Sequence, residues 1–318
     1  MKTLVVAWSL LLLPTLAQAC DVCGIFLGIQ PNDRMNSISL MYRYRHLGGD
    51  IRVPANVGSL LKHGGDGIVA TPEERTIRYR ELYQVAELRG EFWIGNKVAI
   101  LASLPMVNNY RAIDGVRTTD IYGIGDPLLI ARYQVVNTKC LTPDEKVVHR
   151  LMLGAGAKIP LGHTNATYQD TEVDVDQQPG TGTWDLLASL EYKVRYKRTG
   201  AGVSAVARYN TANADAYQLG HGLSTTAELF RRYDIGDNWK IMPSIGAYHE
   251  WSGMDAEHNN VVQGTGSSTL FSHLGTRAWW RSWGISATFQ YAVAHNLGAL
   301  MVPNKERVVL GLTYNINN

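Results

Sequence analysis

Much of the chain alternates between apolar and polar residues. The clearest case is the segment from Thr183 to Tyr196. One face would carry Trp184, Leu186, Ala188, Leu190, Tyr192 and Val194, and the other Asp185, Ser189, Glu191 and Lys193. A repeat of two is the repeat of a β-strand, in which successive side chains point to opposite faces. The pattern therefore predicts strands with one apolar face and one polar face.

The same alternation recurs in about twelve segments. They cover residues 37–47, 76–93, 97–110, 122–137, 147–160, 183–196, 201–210, 223–233, 239–251, 268–280, 284–295 and 306–316. Long or medium connections are expected at 48–75, 111–121, 161–182, 211–222, 252–267 and 296–305, short ones at 94–96, 197–200, 234–238 and 281–283, and one of intermediate length at 138–146. Soluble strands average about 5–6 residues, whereas these are long enough to cross a bilayer at a tilt.

An even number of long strands, joined alternately by long loops and short turns, is typical of outer-membrane barrels. A soluble β-sandwich would leave unpaired edges, which closure into a barrel removes. The pattern predicts an all-β fold: an antiparallel transmembrane β-barrel of about twelve strands with no plug domain. In such a barrel the short turns, and with them both termini, lie on the periplasmic side.

The N-terminus reads as a targeting segment. Lys2 precedes an apolar run from Leu4 to Leu16, and Ala17-Gln18-Ala19 resembles a cleavage site, so residues 1–19 are predicted to be a signal peptide. The run is shorter than the roughly 18 residues that a retained spanning helix needs. Residues 20–36 would form a short periplasmic segment and residues 37–318 the barrel. The expected location is the outer membrane of a Gram-negative bacterium, in contact with lipid and lipopolysaccharide.

Composition supports this class and excludes others. Gly 31 and Tyr 16 against Phe 5, with 45% hydrophobic residues, suit a β-chain with aromatic interfaces. A formal net charge of +2 does not indicate a nucleic-acid partner. Gly123-Ile-Gly125 lacks the third glycine and the helix of a nucleotide loop, and no cofactor is expected.

Two motifs resemble a known family. Gly123-Ile-Gly-Asp-Pro-Leu-Leu-Ile-Ala-Arg-Tyr133 and Gly180-Thr-Gly-Thr-Trp-Asp185 resemble the bacterial outer-membrane transporter-like barrels named after the meta-pathway of phenol degradation. Cys20-Asp-Val-Cys-Gly24, followed by Tyr42-Arg-Tyr44, resembles a subgroup whose mature N-terminus reads Cys-Asp-x-Cys-Gly-Cys, with Ile25 in place of the third cysteine. The resemblance implies passive transport of small molecules and no catalytic residues.

The chain has three cysteines, Cys20, Cys23 and Cys140. In an oxidising periplasm they favour a disulfide, either within Cys-x-x-Cys or from the N-terminal segment to Cys140. Capture of a metal, a redox role or lipidation of Cys20 are the alternatives. Any of these could serve a periplasmic partner.

Four acidic residues recur at a spacing of two in the loop after the fifth strand: Asp170, Glu172, Asp174 and Asp176. If that segment is extended, the four carboxylates share one face, which suits Ca²⁺ or the cations that bridge lipopolysaccharide. The alternative is a solvated acidic loop.

Charged side chains are expected to line the lumen. By strand phase these are Arg43, Arg45, Arg78, Arg80, Arg132, Arg150, Lys158, Lys193, Arg208 and Arg277, with Asp126, Asp185, Glu191, Glu228 and Glu250. Leu129, Ala131, Tyr133 and Val135 should face lipid, and Asp126 is the expected partner of Arg132. Two functions are open: a salt-bridged filling that rigidifies the wall, or a pore with an excess of positive charge.

The sequence therefore predicts a non-enzymatic, channel-like barrel for passive passage of small polar or anionic solutes. The first alternative is a binding or structural barrel that uses its cysteine segment. The second is a lipid hydrolase, which needs a histidine beside a serine. His249 and Ser252, three residues apart, would lie on opposite faces, so only a cross-strand pair remains open.

Overall fold

The computed structural model describes residues 34–54, 74–138 and 146–316. The predicted signal peptide and the three cysteines lie outside these residues, so what the sequence predicts for them stays a prediction. No helix in the described part of the chain is long and apolar enough to cross a membrane.

Fourteen strands form one sheet. They are β1 (Asn36–Pro54), β2 (Glu74–Ile94), β3 (Val98–Ile113), β4 (Val116–Ile124), β5 (Leu128–Asn137), β6 (Val147–Lys158), β7 (Asp185–Tyr196), β8 (Thr199–Asn210), β9 (Gly222–Arg231), β10 (Tyr233–Ile235), β11 (Trp239–Ser252), β12 (Ser267–Trp280), β13 (Trp283–Leu297) and β14 (Asn304–Ile316).

The sheet closes on itself. The last strand, β14, pairs antiparallel with β1, with Asn36 opposite Ile316 and Leu40 opposite Leu312. Both β4 and β5 pair with β3, and both β9 and β10 pair with β11, so the fourteen strands occupy twelve positions around the wall. The predicted antiparallel barrel of about twelve strands is confirmed. Because β1 pairs with β14, neither terminal strand of the wall is left as an open edge.

The two faces of the wall differ as the alternation predicted. Along β7 the exposed side chains include Leu186 and Leu190, while Asp185, Glu191 and Lys193 are buried inside the barrel. Leu129, Tyr133 and Val135 on β5 are exposed on the outer face, also as expected. The wall is therefore apolar outside and polar inside, the reverse of a soluble protein.

Exposed aromatic side chains gather near both ends of the outer face. At the end that carries the short turns they include Phe92, Tyr133, Tyr196, Tyr233, Trp239, Trp280, Trp283 and Tyr314. At the end that carries the long loops they include Tyr122, Trp184 and Tyr209. Several are stacked under basic residues at the short-turn end, for example Lys197 at 5.2 Å from the Tyr196 ring and Arg281 at 5.3 Å from the Trp280 ring.

The expected loop at 111–121 is wrong, because β3 and β4 form a tight hairpin there. Asp114 and Gly115 make the turn with positive φ angles of 50° and 82°. Asp-Gly favours a two-residue turn of this kind, since glycine adopts positive φ without strain. The loop expected at 48–75 is likewise too long, because β1 continues to Pro54 and β2 begins at Glu74.

The strand expected at 122–137 is interrupted at residues 125–127. Between Ile124, opposite Met106, and Leu128, opposite Ser103, three residues face two residues of β3. Such a bulge moves the inward phase by one residue. Before it the buried side chains include Thr119 and Ile121; after it they are Ile130 and Arg132.

Candidate functional site

The lumen is lined by charge of both signs. In the wall and in the loop of residues 159–184, hereafter the lumen loop, ten cations and ten carboxylates are buried. The cations are Arg45, Arg89, Arg111, Arg132, Arg150, Lys158, Lys193, Arg208, Arg277 and Arg307; the carboxylates are Glu81, Glu87, Glu91, Asp126, Asp174, Asp176, Asp185, Glu191, Glu228 and Glu250. The half-buried Arg43 is paired with Glu87 at 3.1 Å. The expected excess of positive charge is therefore small.

Most of the predicted lumen residues are among these, and eight others were missed. The missed ones are Glu81, Glu87, Arg89, Glu91, Arg111, Asp174, Asp176 and Arg307. Along β2 the signal was present, because Glu81, Glu87, Arg89 and Glu91 follow the two-residue repeat. The missed residues of β2 supply the carboxylates that balance the predicted cations.

Arg78 and Arg80 are corrections, since both are exposed rather than facing inward. Arg78 lies on the outer face, with its Nε 3.0 Å from Asp50 Oδ1. The inward side chains at this end of β2 are Ile77 and Tyr79, which are buried. The predicted inward placement of Arg78 and Arg80 is wrong because the inner face of the barrel is apolar at its long-loop end. The cluster there consists of Leu47, Ile51, Ile77, Tyr79, Tyr83 and Val302.

The partner expected for Arg132 is a second correction. Arg132 Nη2 lies 2.6 Å from Glu91 Oε2, across β3. Asp126 lies instead 3.2 Å from Lys158 Nζ, which also contacts Asp185 at 2.7 Å. The bulge at 125–127 places Asp126 at the long-loop end, away from Arg132.

One ion-pair network crosses the lumen. Glu250 on β11 is fully buried and lies 3.1 Å from Arg45 of β1 and 3.1 Å from Arg307 of β14. Arg208 also acts on it electrostatically. Since β1 lies four of the twelve positions from β11 around the wall, the Arg45–Glu250 contact spans the lumen between strands that are not neighbours. Arg307 additionally lies 4.6 Å from the Tyr248 ring centroid.

The lumen loop folds into the barrel, where Gln177 is fully buried. Asn109 Nδ2 donates to Gln177 O at 2.8 Å, and Gln177 Nε2 donates to the hydroxyl of Tyr83. Arg111 Nη1 donates to Asp174 Oδ2 at 2.6 Å, while its Nε donates to Glu81. These contacts hold the loop against β2 and β3 inside the barrel, so it narrows the lumen.

Both ends of the lumen loop are held by one carboxylate. Asp126 accepts hydrogen bonds from Gly162 N at 2.9 Å and from Thr181 N at 2.8 Å. Gly180 N donates to His163 O at 2.8 Å, so the two ends of the loop touch. Glycines at 162 and 180 permit this, because a Cβ on either would lie 2.7 Å from the other's backbone.

The acidic series in this loop does not form the expected cation site. Asp170 and Glu172 are exposed, whereas Asp174 and Asp176 are buried beside Arg111. The segment is not extended: Asp170 has a φ of 62° in a hairpin turn, and Val175–Gln177 form a 3-10 turn. No group of three or more possible metal ligands occurs among the described residues.

A cavity lies in the lumen beneath residues 176–179. It contains about 1030 Å³ of empty space continuous with solvent, of which about 120 Å³ is accessible to the centre of a water molecule. Five cations and three carboxylates line it: Arg43, Arg45, Lys158, Arg208 and Arg307 with Glu87, Asp126 and Asp176. Its other lining residues include Val85, Pro105, Val107, Leu128 and Leu187.

A histidine and a serine meet on the outer face. His249 Nε2 lies 2.8 Å from Ser268 Oγ, across the β11–β12 pair. This is the cross-strand pair that the sequence left open. Within the described part of the chain, no carboxylate is hydrogen-bonded to the other ring nitrogen of His249. The pair thus supplies two of the three groups of a catalytic triad.

Comparison with known proteins yields similarity at the level of the fold. No family model matches the chain, and no curated protein matches its sequence. An outer-membrane channel from Pseudomonas putida F1 superposes with a TM-score of 0.61 at 13% identity, covering 91% of this chain and 100% of that one. The β domain of the Bordetella autotransporter BrkA gives 0.47 at 14% identity, covering 89% and 100%. The translocator domain of NalP from Neisseria meningitidis gives 0.41 at 11%, covering 91% and 91%.

Proposed function

We propose that this protein is an outer-membrane channel for passive passage of small polar or anionic solutes. The observation that carries the proposal is a closed wall, apolar outside, around a charged lumen that holds a solvent-connected cavity. The likeness of the fold to an outer-membrane channel from Pseudomonas putida F1 supports it. The resemblance found in the sequence motifs points the same way.

The outer face supports a membrane setting. Trp184 and Tyr196 stand at opposite ends of the β7 wall, both exposed, with exposed leucines between them. Twelve residues at about 3.3 Å each, tilted by about 40°, span roughly 30 Å, close to the thickness of a hydrocarbon core. Basic residues over the rings at the short-turn end fit an interface with lipid headgroups.

The lumen supports passage of small solutes and argues against a wide pore. The lumen loop and the Arg45–Glu250 contact both cross the interior. The buried charges of the lumen are nearly balanced overall. A preference for anions is therefore expected only where cations outnumber carboxylates, as they do around the cavity.

Planar bilayers test the proposal. Refolded full-length mature protein should give discrete currents of small conductance in KCl, with a reversal potential in a salt gradient that shows modest anion preference. Liposomes containing it should swell in small zwitterionic solutes and not in oligosaccharides. Absence of both current and swelling would contradict a channel.

The His249–Ser268 pair favours one second candidate, a hydrolase acting on membrane lipid. Histidine can activate serine as a nucleophile, and the pair lies on the face expected to meet lipid. The measurement is release of fatty acid from mixed phospholipid vesicles with Ca²⁺. Activity lost in both Ser268→Ala and His249→Ala would establish the hydrolase; equal background release in all three proteins would remove it.

A further inference from the structure

We infer that the short-turn end of the barrel binds an anionic glycerophospholipid, such as phosphatidylglycerol, on the outer face of β7, β8 and β9. This lipid site deepens the proposed function, because it names a partner for the wall. It depends on the membrane setting of that proposal and not on passage through the lumen.

Exposed charge differs between the two ends of the barrel. In the described short turns and the strand ends beside them, eight cations and two carboxylates are at least partly exposed. In the described connections and strand ends at the opposite end, six cations and seven carboxylates are at least partly exposed, so their charges nearly cancel. The short-turn residues are 95–97, 146–147, 196–199, 231–240 and 281–282, and the others are 48–54, 75–80, 111–121, 159–184, 211–221, 253–266 and 298–305. The short-turn end is therefore strongly positive, which favours an anionic partner.

The centre of the site is a row of side chains across three strands. Tyr196 of β7 and Arg231 of β9 both lie opposite Thr199 of β8. Residues opposite one another in antiparallel pairs share a face, and all three are exposed on the outside of the wall. Lys197 Nζ lies 5.2 Å from the centroid of the Tyr196 ring, and Arg231 Cζ lies 5.5 Å from that of Tyr233. The row thus places a hydroxyl group between an ammonium and a guanidinium group.

These two cations have no acidic partner in the described part of the chain, since no ion pair involves Lys197 or Arg231. The neighbouring Arg198 and Arg232 are different, because both lie beside Asp234, at 3.6 and 3.1 Å. Strands two positions apart are separated by about 10 Å, so the long side chains of Lys197 and Arg231 can both reach one phosphate between them. Their charge is available to an external anion.

Apolar surface continues from this row toward the middle of the bilayer. Ala201, two residues beyond Thr199 on β8, lies between Val194 of β7 and Leu229 of β9. Leu229 is 61% exposed, so the small Ala201 leaves a shallow groove beside it. A free phosphate ion would contact only the polar row. A glycerophospholipid would place its phosphate on the row and an acyl chain in the groove, and this combination identifies the partner as a lipid.

The same cations discriminate between headgroups. Phosphatidylethanolamine carries the same phosphate, but its ammonium group would lie beside Lys197 and Arg231 and be repelled. Phosphatidylglycerol carries an uncharged glycerol there. A basic residue at an anionic membrane surface contributes about fivefold in affinity, and two such residues act on this phosphate.

Native mass spectrometry of the full-length mature protein tests the site, with phosphatidylglycerol and phosphatidylethanolamine of identical acyl chains as probes. Phosphatidylglycerol should bind at least about tenfold more tightly, and added salt should reduce the difference. Phosphatidylglycerol that binds no more tightly than phosphatidylethanolamine would overturn the proposal. Binding of purified peptidoglycan without any preference for phosphatidylglycerol would assign this surface to the cell wall and also overturn it.

Variants locate the site on the wall. Lys197→Gln with Arg231→Gln should weaken phosphatidylglycerol at least about tenfold and leave phosphatidylethanolamine unchanged. Thr199→Val, which removes only the hydroxyl group, should weaken it about twofold to threefold. Arg78→Gln with Arg80→Gln is the matched control, because it removes the same charge from exposed residues at the opposite end. Equal weakening in both double variants would show unspecific attraction by net charge and remove the site.

Failure of the lipid site and failure of the channel give different results. Current in planar bilayers without a preference for phosphatidylglycerol leaves the channel in place and removes the lipid site. A preference that is lost in the Lys197 and Arg231 double variant, in a barrel that carries no current, supports the lipid site and removes passive passage.

Discussion

Deletion of residues 164–179 will raise the single-channel conductance several-fold. This segment contains the part of the lumen loop that crosses the interior, including the fully buried Gln177 and its contact with Asn109. The deletion is geometrically mild, because His163 O already accepts a hydrogen bond from Gly180 N at 2.8 Å. The shortened chain can therefore close without moving the wall, and the lumen widens where the loop lay.

The deletion also removes Asp174 and Asp176, which neutralise Arg111. We therefore expect anion preference to increase together with conductance. The matched control is the double variant Asp170→Asn with Glu172→Gln, which removes two charges from the exposed part of the same loop and should leave both properties unchanged. A correctly folded deletion variant with unaltered conductance would mean that the loop is not the narrow point of the channel.

The sequence predicted the wall better than the lumen. Alternation determines which residues share a face of a strand. The inward and outward faces of β7 and the outward residues of β5 were therefore predicted correctly. Alternation cannot show where the inward phase shifts, as it does at the bulge at 125–127, or where the inner face becomes apolar, as it does around Ile77. The Asp114-Gly115 turn was visible as a hairpin signal and was overlooked.

The contacts that cross the lumen could not be read from alternation at all. The sites of Arg45 and Glu250 are 205 positions apart in the chain and four positions apart around the wall, and only closure brings them together. The lumen loop is similar: a two-residue spacing of carboxylates suggested an extended segment, while tertiary contacts to Arg111 and Tyr83 hold a turn. Chain closure and loop packing are long-range events, and a local period carries no information about them.

The cross-lumen network explains how an interior of arginines and carboxylates can be stable. Each buried guanidinium needs a carboxylate at hydrogen-bonding distance, and Glu250 serves Arg45 and Arg307 together. Removing a carboxylate of this kind takes the counter-charge away from more than one buried cation. The consequence is that stability and ion preference of this barrel should depend on the same residue.

Glu250→Gln will therefore lower thermal stability and raise anion preference in one step. Removing one partner of a buried ion pair costs about 3–5 kcal/mol, and we expect the lower end because glutamine is isosteric and retains an acceptor. The measurements are the unfolding temperature from circular dichroism and the reversal potential in a KCl gradient. Glu306→Gln is the control: Glu306 lies on the same rim, outside the lumen, where it contacts His46, and it should change neither value.

A double variant, Arg45→Gln with Glu250→Gln, decides whether the cross-lumen contact itself is responsible. If stability is lost because Arg45 keeps a buried charge without Glu250, removing Arg45 as well should recover part of that loss. The changes in the free energy of unfolding caused by the two substitutions will then be non-additive by about 1–2 kcal/mol. Anion preference should then return toward the native value, because one cation and one carboxylate have left together. Additive losses of stability would show that Arg45 and Glu250 act independently, and the lumen would then be better described as a set of local pairs along neighbouring strands.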